Sequence, residues 1–439
     1  MAGRLRLAIK AAAVAFACAF ATDATAQTLR EALQGLVETH PAIASGREAV
    51  DAATSGRDRA NANYLPRLDV TTAFGPQYID SPLTSSAGGG EWVAVAQIAG
   101  VEVSQVLFDG FATPARVAAA GLQTESARFG LAATRQQVLL DGIGAYLDVV
   151  RHRRLVELAR ASERTIKSQL RLEDERVRRG AGIAVDVLQA KSRLQVAKEQ
   201  RIGFEGALRL AISHYLQVFA QPPEIDAMAM PPPPVHLIPD DLHGAIVLAQ
   251  AENPAVNASL AQIAEAAEGR RIARGDYYPT FDLVAGANYE KDTDLVEGVR
   301  TDLSLLLRAT WNLFDGFATD AAAAEAAAVY RGRRDDHEAL ERRVGDAVRA
   351  AWHTLNTARE REELLENGVA IAEQVFAMRR KLRAAGRETA INVLDAEDEL
   401  TRARIALTAA QAEAQLSVYR LIAAIGRLGP RELALAVGR

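Results

Sequence analysis

The chain has 439 residues, a formal net charge of −5, 49% hydrophobic and 24% charged residues. That length fits about two to three domains, and the mild acidity, with no basic block carrying interleaved aromatics, argues against a nucleic-acid partner. The one cysteine is Cys18; once the segment holding it is removed, no disulfide, cysteine metal site or thiol nucleophile remains.

The first 26 residues read as an export signal. Arg4, Arg6 and Lys10 precede a short apolar run from Ala11 to Phe20, and Ala24-Thr25-Ala26 is a small-residue cleavage site before Gln27. A rival reading makes Cys18 a lipidation site, which the bulky Phe16 argues against. The apolar run is shorter than the roughly 20 residues of a membrane-spanning helix, and no later stretch is one. A membrane crossing by this chain must therefore use strands.

The body is one unit written twice. His40-Pro41 matches Asn253-Pro254 and Leu65-Pro66 matches Tyr278-Pro279, each 213 positions later; Phe108-Asp-Gly-Phe111 matches Phe314-Asp-Gly-Phe317 and Gly180 matches Gly386, each 206 later. The first copy thus carries 7 extra residues between its proline and its Phe-Asp-Gly-Phe. The expected segments are a first copy over 27–221, a proline-rich linker over 222–242, a second copy over 243–428 and a short tail over 429–439.

Each copy is expected to run helix, strand, strand, long helix, tip, helix. The opening helices are placed at about Leu29–Asn63 and His243–Asp276, ended by the following proline. Period-two alternation then predicts strands at about 67–78 and 92–108, and at about 280–290 and 301–314. Leu68, Val70, Thr72 and Phe74 alternate with Asp69, Thr71 and Ala73; Phe281, Leu283, Ala285 and Ala287 alternate with Asp282, Gly286 and Asn288. A Gly-rich loop (Gly88, Gly89, Gly90) and an acidic loop (Asp292, Asp294, Glu297) join the pairs. One apolar and one polar face is the pattern of a membrane barrel, and Trp92, Trp311, Tyr78 and Tyr289 suit its interfacial girdles. The bland alternative is a β-sandwich edge packed on helices.

Two proline-free runs follow, Ala115 to Arg179 and Asp320 to Ala385. At about 1.5 Å per residue each would reach roughly 100 Å as a helix. Val344, Ala351, Ala358, Leu365 and Ala372 recur every seventh residue, as do Val348, Leu355, Glu362, Val369 and Phe376, which is coiled-coil periodicity. Glu362 is the polar exception, expected at a solvated or lumen-edge position. The runs end at two matching stretches, Gly180 to Ala190 and Gly386 to Ala396. Each has a helix-breaking glycine, then a polar-Val-Leu-polar-Ala restart. Return helices are expected from Ile183 to about Phe219 and from Ile391 to about Ile425.

The fold class is therefore mainly α with a small β part. Four strands cannot close a barrel, since the smallest membrane barrels have about eight, and an open edge is not tolerated in lipid. Several chains must pool their strands, which would also ring the long helices into a tube. The rival is a structural periplasmic coiled-coil protein without a channel, its strands forming a soluble cap. Enzyme readings find no support: the seven histidines show no metal spacing, no phosphate loop follows a strand, and Asp395, Asp398 and Glu399 suit a charged helix face. No catalytic residue, metal or cofactor is implied.

In its signal segment, duplicated layout, Phe-Asp-Gly-Phe turns and paired tips, the chain resembles the TolC-like outer-membrane efflux proteins over nearly all its mature length. The resemblance implies a homotrimer in outer-membrane lipid, with a twelve-stranded barrel continued by a long periplasmic helical barrel. It implies passive export in drug efflux or type I protein secretion, with a periplasmic adaptor and an inner-membrane transporter as partners. In that family two acids three apart narrow the tunnel at the second tip. Here those positions are Asn392 and Asp395, and their first-tip counterparts are Asp186 and Gln189, so each tip keeps one carboxylate. The plainer role for Asp395 and Asp186 is that of acids near a helix N-terminus. The family's basic closing residue falls at Glu388, so that bond is absent as usually drawn; Arg383 or Arg387 pairing with Asp186 would replace it. Adaptor docking would fall on Gly180, Ala181, Gly182, Ile183, Gly386 and Arg387.

Overall fold

A computed structural model of the chain describes residues 29–80, 91–180 and 183–435. The export signal with Cys18, the Gly-rich loop and the tip residues Ala181 and Gly182 lie outside the described residues. The elements are α1 (Leu29–Thr39), α2 (Pro41–Asn61), β1 (Arg67–Ile79), β2 (Trp92–Asp109), α3 (Ala112–Arg178), α4 (Ala184–Phe219), α5 (Leu242–Glu252), α6 (Pro254–Gly275), β3 (Thr280–Thr293), β4 (Val296–Thr310), α7 (Ala318–Ala384) and α8 (Ala390–Ile425). The duplication is literal in length: α3 and α7 have 67 residues each, and α4 and α8 have 36 each. No helix among the described residues is long and apolar enough to cross a membrane.

The single opening helix expected in each copy is two helices, broken at the matching X-Pro pairs. Proline lacks the N–H that would continue the ladder and restricts the residue before it. The residue before each proline caps the new helix. The Ala255 N–H donates to Asn253 Oδ1 at 2.9 Å, and the Ala42 N–H to His40 Nδ1 at 3.2 Å.

The described residues form two compact units that cut across the copies, one drawn from 29–43, 134–249 and 344–435, the other from 44–133 and 250–343. In the first, Leu33 and Leu36 of α1 press on Gly142 of α3, where a Cβ would lie 2.6 Å from a Leu36 methyl. Around them Leu139, Ile143, Leu147, Leu421, Ile422 and Ile425 are fully buried. The linker is fastened to α3: the Tyr146 hydroxyl donates to the Ala229 carbonyl at 3.1 Å, and Arg153 donates to the Ile225 carbonyl. The heptad positions of α7 are its packed face, with Val344, Val348, Leu355, Ala358 and Ala372 buried. Glu362 is half-buried instead of solvated, and burial, then the neighbouring Glu366, pushes its carboxyl up.

The second unit holds one antiparallel sheet in the order β1-β2-β3-β4, in which β2 pairs with β3 and so joins the copies. Its register sorts the side chains. Val70, Val101, Ala287 and Leu303 share one row, and Leu68, Val103, Ala285 and Leu305 the next. Opposite them lie rows such as Asp69, Glu102, Gly286 and Ser304, since successive residues of a strand alternate faces. The apolar face is open: Leu68, Val70, Phe74, Leu303, Leu305 and Leu307 are all exposed. Tyr78, Tyr289 and Trp311 are exposed too, and Trp92 is half-buried.

The second hairpin closes in two residues, Asp294 and Leu295, both with positive φ (51° and 69°), as tight hairpin turns require. Its return strand starts earlier than expected, at Val296, and stops at Thr310, whereas β2 runs on to Asp109. Phe108 and Asp109 are held by β3, while β4 is an edge with no strand beyond it among the described residues.

Each strand pair feeds its long helix through the same turn. Gly110 and Phe111 have φ of 64° and 66°, and Gly316 and Phe317 have 70° and 68°. The aspartate between phenylalanine and glycine caps the helix. Asp109 accepts from the Thr113 N–H at 3.0 Å and its hydroxyl at 2.7 Å; Asp315 accepts from the Thr319 N–H at 2.8 Å and its hydroxyl at 2.6 Å. Those bonds hold the Asp315 carboxyl below its ordinary range, the threonine hydroxyl contributing most.

Candidate functional site

The two tips belong to the first unit, and a left-handed glycine builds each. Gly180 has φ 76° and Gly386 φ 72°. The Gly386 N–H donates to the Arg383 carbonyl at 3.1 Å and the Arg387 N–H to the Leu382 carbonyl at 2.9 Å, which satisfies the last carbonyls of α7. Thr389 then caps α8, its hydroxyl accepting from the Asn392 N–H at 3.4 Å. Ile183 opens α4 with extended backbone and no side-chain cap.

The second tip contains a knot of hydrogen bonds. Glu388 accepts from the Asn392 amide at 2.5 Å and the Thr389 N–H at 3.0 Å, and pairs with Arg379 at 3.4 Å. The amide bond above all, then the Thr389 N–H, holds the Glu388 carboxyl below its ordinary range. Asn392 thus ties Glu388 to the first turn of α8.

The expected partnership of Arg383 with Asp186 is not the one formed. Arg383 instead spans to α3, reaching Glu173 at 2.6 Å through Nη2 and 3.2 Å through Nε, and donates to the Glu388 carbonyl at 2.8 Å. The fork of a guanidinium matches a carboxylate in this two-point way. Glu173 is only 3% exposed at its side chain and Arg383 18%, so a buried carboxylate meets a half-buried guanidinium. Asp186 lies half-buried in the first turn of α4 and makes no ion pair among the described residues; Arg387 and Gln189 are exposed.

Asp395 sits one turn into α8. It pairs with Arg193 of α4 at 2.6 Å, and Arg193 also approaches Asp398 at 3.7 Å, which in turn pairs with Arg402 at 2.5 Å. The carboxylates Asp395 and Asp398 therefore serve a charged seam between the return helices. Beneath them Leu394 joins Ile166, Ala190 and Leu194 in a small apolar cluster. Arg193 and Glu173 were not legible as site residues, because their partners lie 202 and 210 positions away.

The first tip shows what the second hides. Leu394 is buried, but Leu188, its counterpart 206 positions earlier, is 63% exposed, as are Ile183 and Val185 beside it. The sequence signal was present, since Leu188 belongs to the same polar-Val-Leu-polar pattern.

Comparison with known proteins agrees with this anatomy. The sequence profile of the family described as outer membrane efflux protein matches residues 32–212 and 245–427, one match for each copy. The outer membrane efflux protein BepC of Brucella suis is 25% identical over 95% of this chain and 89% of its own length. The alkaline protease secretion protein AprF of Pseudomonas aeruginosa is 25% identical over 96% of this chain and 89% of its own. Among solved structures, the outer membrane protein VceC of Vibrio cholerae superposes with a TM-score of 0.76 at 18% identity, over 91% of this chain and 96% of that one. The Campylobacter jejuni CmeC outer membrane channel does so with 0.78 at 14%, over 91% and 85%. The chain belongs to the outer membrane efflux protein family.

Proposed function

We propose that three copies of this chain form the exit duct of a tripartite export system. Their sheets close a twelve-stranded barrel, and their helices continue it as a periplasmic tunnel. The observation that carries this reading is the sheet itself. Its apolar face is exposed along every strand, and both of its edges, β1 and β4, are unpaired among the described residues. Lipid tolerates neither open edge.

The repeat supplies the joint. The β2–β3 register sets Val101 opposite Ala287. Moving Val101 forward by 206 positions and Ala287 back by 213 gives Leu307 and Phe74. Leu307 of one chain would then face Phe74 of the next, both on the apolar face. The same logic explains Leu188, whose missing cover is the second copy of a neighbouring chain.

Transport is passive and not enzymatic: the chain supplies a conduit, and energy enters through an inner-membrane transporter. The tips, at Gly180 to Ile183 with Gly386 and Arg387, are the docking end for a periplasmic adaptor. Asp395, Asn392, Asp186 and Gln189 line the narrow entrance. Arg383, Arg387 and Glu388 hold it closed, with Arg383 acting through Glu173. The relatives are named for protease secretion and for efflux, and unfolded protein or small toxic compounds are the two cargo classes the duct suits.

The test is a cysteine pair at Phe74 and Leu307. Paired strands bring Cα atoms to about 4.5–5.5 Å, within disulfide reach. Oxidation should give covalent trimers in the outer-membrane fraction, while Ala73 paired with Leu307 should not. Single-channel currents from the purified protein in planar bilayers complete it. Exclusively monomeric product with no current from folded protein would overturn the duct and favour a structural coiled coil.

A further inference from the structure

The turn at Phe111 and the end of α6 enclose a groove of about 420 Å³ lined by Phe111, Pro114, Ala115, Arg271, Arg274 and Tyr278, among others. Two backbones touch to make it. A Cβ on Gly110 would fall 2.3 Å from the Gly275 carbonyl oxygen, so only glycine lets α6 lie against the turn.

The groove opens on the apolar side of the sheet. Phe108 stands opposite Phe281 in the register, on the apolar row, and Phe111 meets Phe108 edge-on at 5.2 Å. Phe111 just before α3 and Pro114, Ala115 and Ala118 within it recur at helical spacing on one face; Ala112, Thr113 and Arg116 line a second recess with Asp109 and Asp282, and Tyr278 borders both. The groove also sits at the β2–β3 seam, in the middle of the four strands and away from the edges where further strands must add.

Its chemistry is split. Phe111 and Tyr278 are largely exposed apolar surface at the helical end of the sheet. Arg271 and Arg274 are exposed beside them, and against them stands one acid, Glu268, paired with Arg271 at 2.9 Å. Arg274 has no ion-pair partner among the described residues. The other copy keeps the turn without this charge: 213 positions earlier, Asp58 and Asn61 occupy the places of Arg271 and Arg274. The repeat fold does not require arginine there.

We propose that this groove binds the headgroup of an anionic glycerophospholipid in the periplasmic leaflet, one per chain. The guanidinium groups of Arg271 and Arg274 take the phosphodiester, for which their planar donors are suited. Phe111 and Tyr278 hold the glycerol region, as interfacial aromatics do. The acyl chains run on along Phe108, Phe281 and the apolar rows of the sheet. This assignment rests on the sheet being embedded in lipid.

Native mass spectrometry of the detergent-purified full chain, titrated with phosphatidylglycerol or phosphatidylcholine, tests it. Each arginine near an anionic lipid surface contributes about fivefold in affinity. Phosphatidylglycerol should bind at one per chain and about tenfold or more tighter than phosphatidylcholine. Arg271→Gln/Arg274→Gln should abolish that preference, and Arg57→Gln/Arg59→Gln, which removes the same charge from α2, should keep it. Excess inorganic phosphate should displace little of the lipid. Equal binding of the two lipids, equal losses in both double variants, or full displacement by phosphate would overturn the site. Planar-bilayer currents from the wild type separate the two failures: a wild type that forms channels yet binds the two lipids equally sinks only the groove, and one that does not insert sinks the membrane reading beneath it.

Discussion

Arg383 and Glu173, 210 positions apart in sequence, meet at 2.6 Å with the glutamate almost wholly buried. The contact joins the end of α7 to the last turns of α3, and so ties the second hairpin to the first. Removing one partner of a fully buried pair costs about 3–5 kcal/mol, whereas removing both costs less; here Arg176, 3.7 Å from Glu173, and the partial exposure of Arg383 place the cost of losing Arg383 below that range. Arg383→Ala should lower the melting temperature and raise single-channel conductance. Glu173→Gln/Arg383→Ala should recover stability relative to Arg383→Ala while keeping the larger conductance. A double variant less stable than the single one would show that the pair is not the relevant coupling.

Asp395 faces a cation within its own chain, Arg193 at 2.6 Å. In the proposed trimer a ring of three such carboxylates would favour cations, and each arginine would offset part of that field. Arg193→Gln should therefore make the channel more cation-selective, and Asp395→Ala less so, when reversal potentials are measured across a salt gradient. Opposite signs, or no change in either, would move the selective point away from the second tip.

The Phe-Asp-Gly-Phe turns depend on their aspartates. Replacing a capping aspartate by alanine costs about 1 kcal/mol, so Asp109→Ala should lower the thermal midpoint modestly without changing trimer formation. Asp315 adds a pH signature. Its folded pKa is depressed, so its stabilising contribution is complete above the ordinary aspartate value of 3.8 and is lost as pH falls through the lower folded value. Melting curves of wild type and Asp315→Asn should converge as the medium is acidified below that range.

Glu397 titrates the other way. It is 5% exposed and accepts from the Thr401 hydroxyl at 3.1 Å through Oε1, with the Ser162 hydroxyl as a second neighbour of the carboxyl. Burial pushes its carboxyl up, against the smaller pull of Ser162 and Thr401. The folded protein then binds the proton more tightly than the unfolded chain does. Stability falls as pH rises from the ordinary glutamate value of 4.5 towards the raised folded one. Glu397→Gln should melt higher than wild type at neutral pH, with the gap closing in acid. A gap independent of pH would mean that the carboxylate is not the cause.

Much of the fold was legible in the chain because its causes are local. Left-handed glycines at Gly180 and Gly386, capping aspartates at Asp109 and Asp315, and the seven-residue spacing from Val344 to Ala372 each act within a few turns of backbone. The repeat makes every such signal appear twice. His40-Pro41 and Asn253-Pro254 were visible too, but their strength as helix breaks was not, since prolines are tolerated in the first turn of a helix and two short helices share one hydrophobic pattern. What tertiary structure alone decided is the pairing of groups far apart in sequence. Arg383 chose Glu173 over Asp186, Asp395 found Arg193, and Leu394 found a cover that Leu188 lacks. The end of β4 at Thr310, four residues short of the phenylalanine that its twin β2 includes, follows from having no strand beyond it. Local propensity sets where the chain bends and turns; which charges and apolar faces then meet depends on the packing of whole hairpins, to which no short stretch of sequence refers.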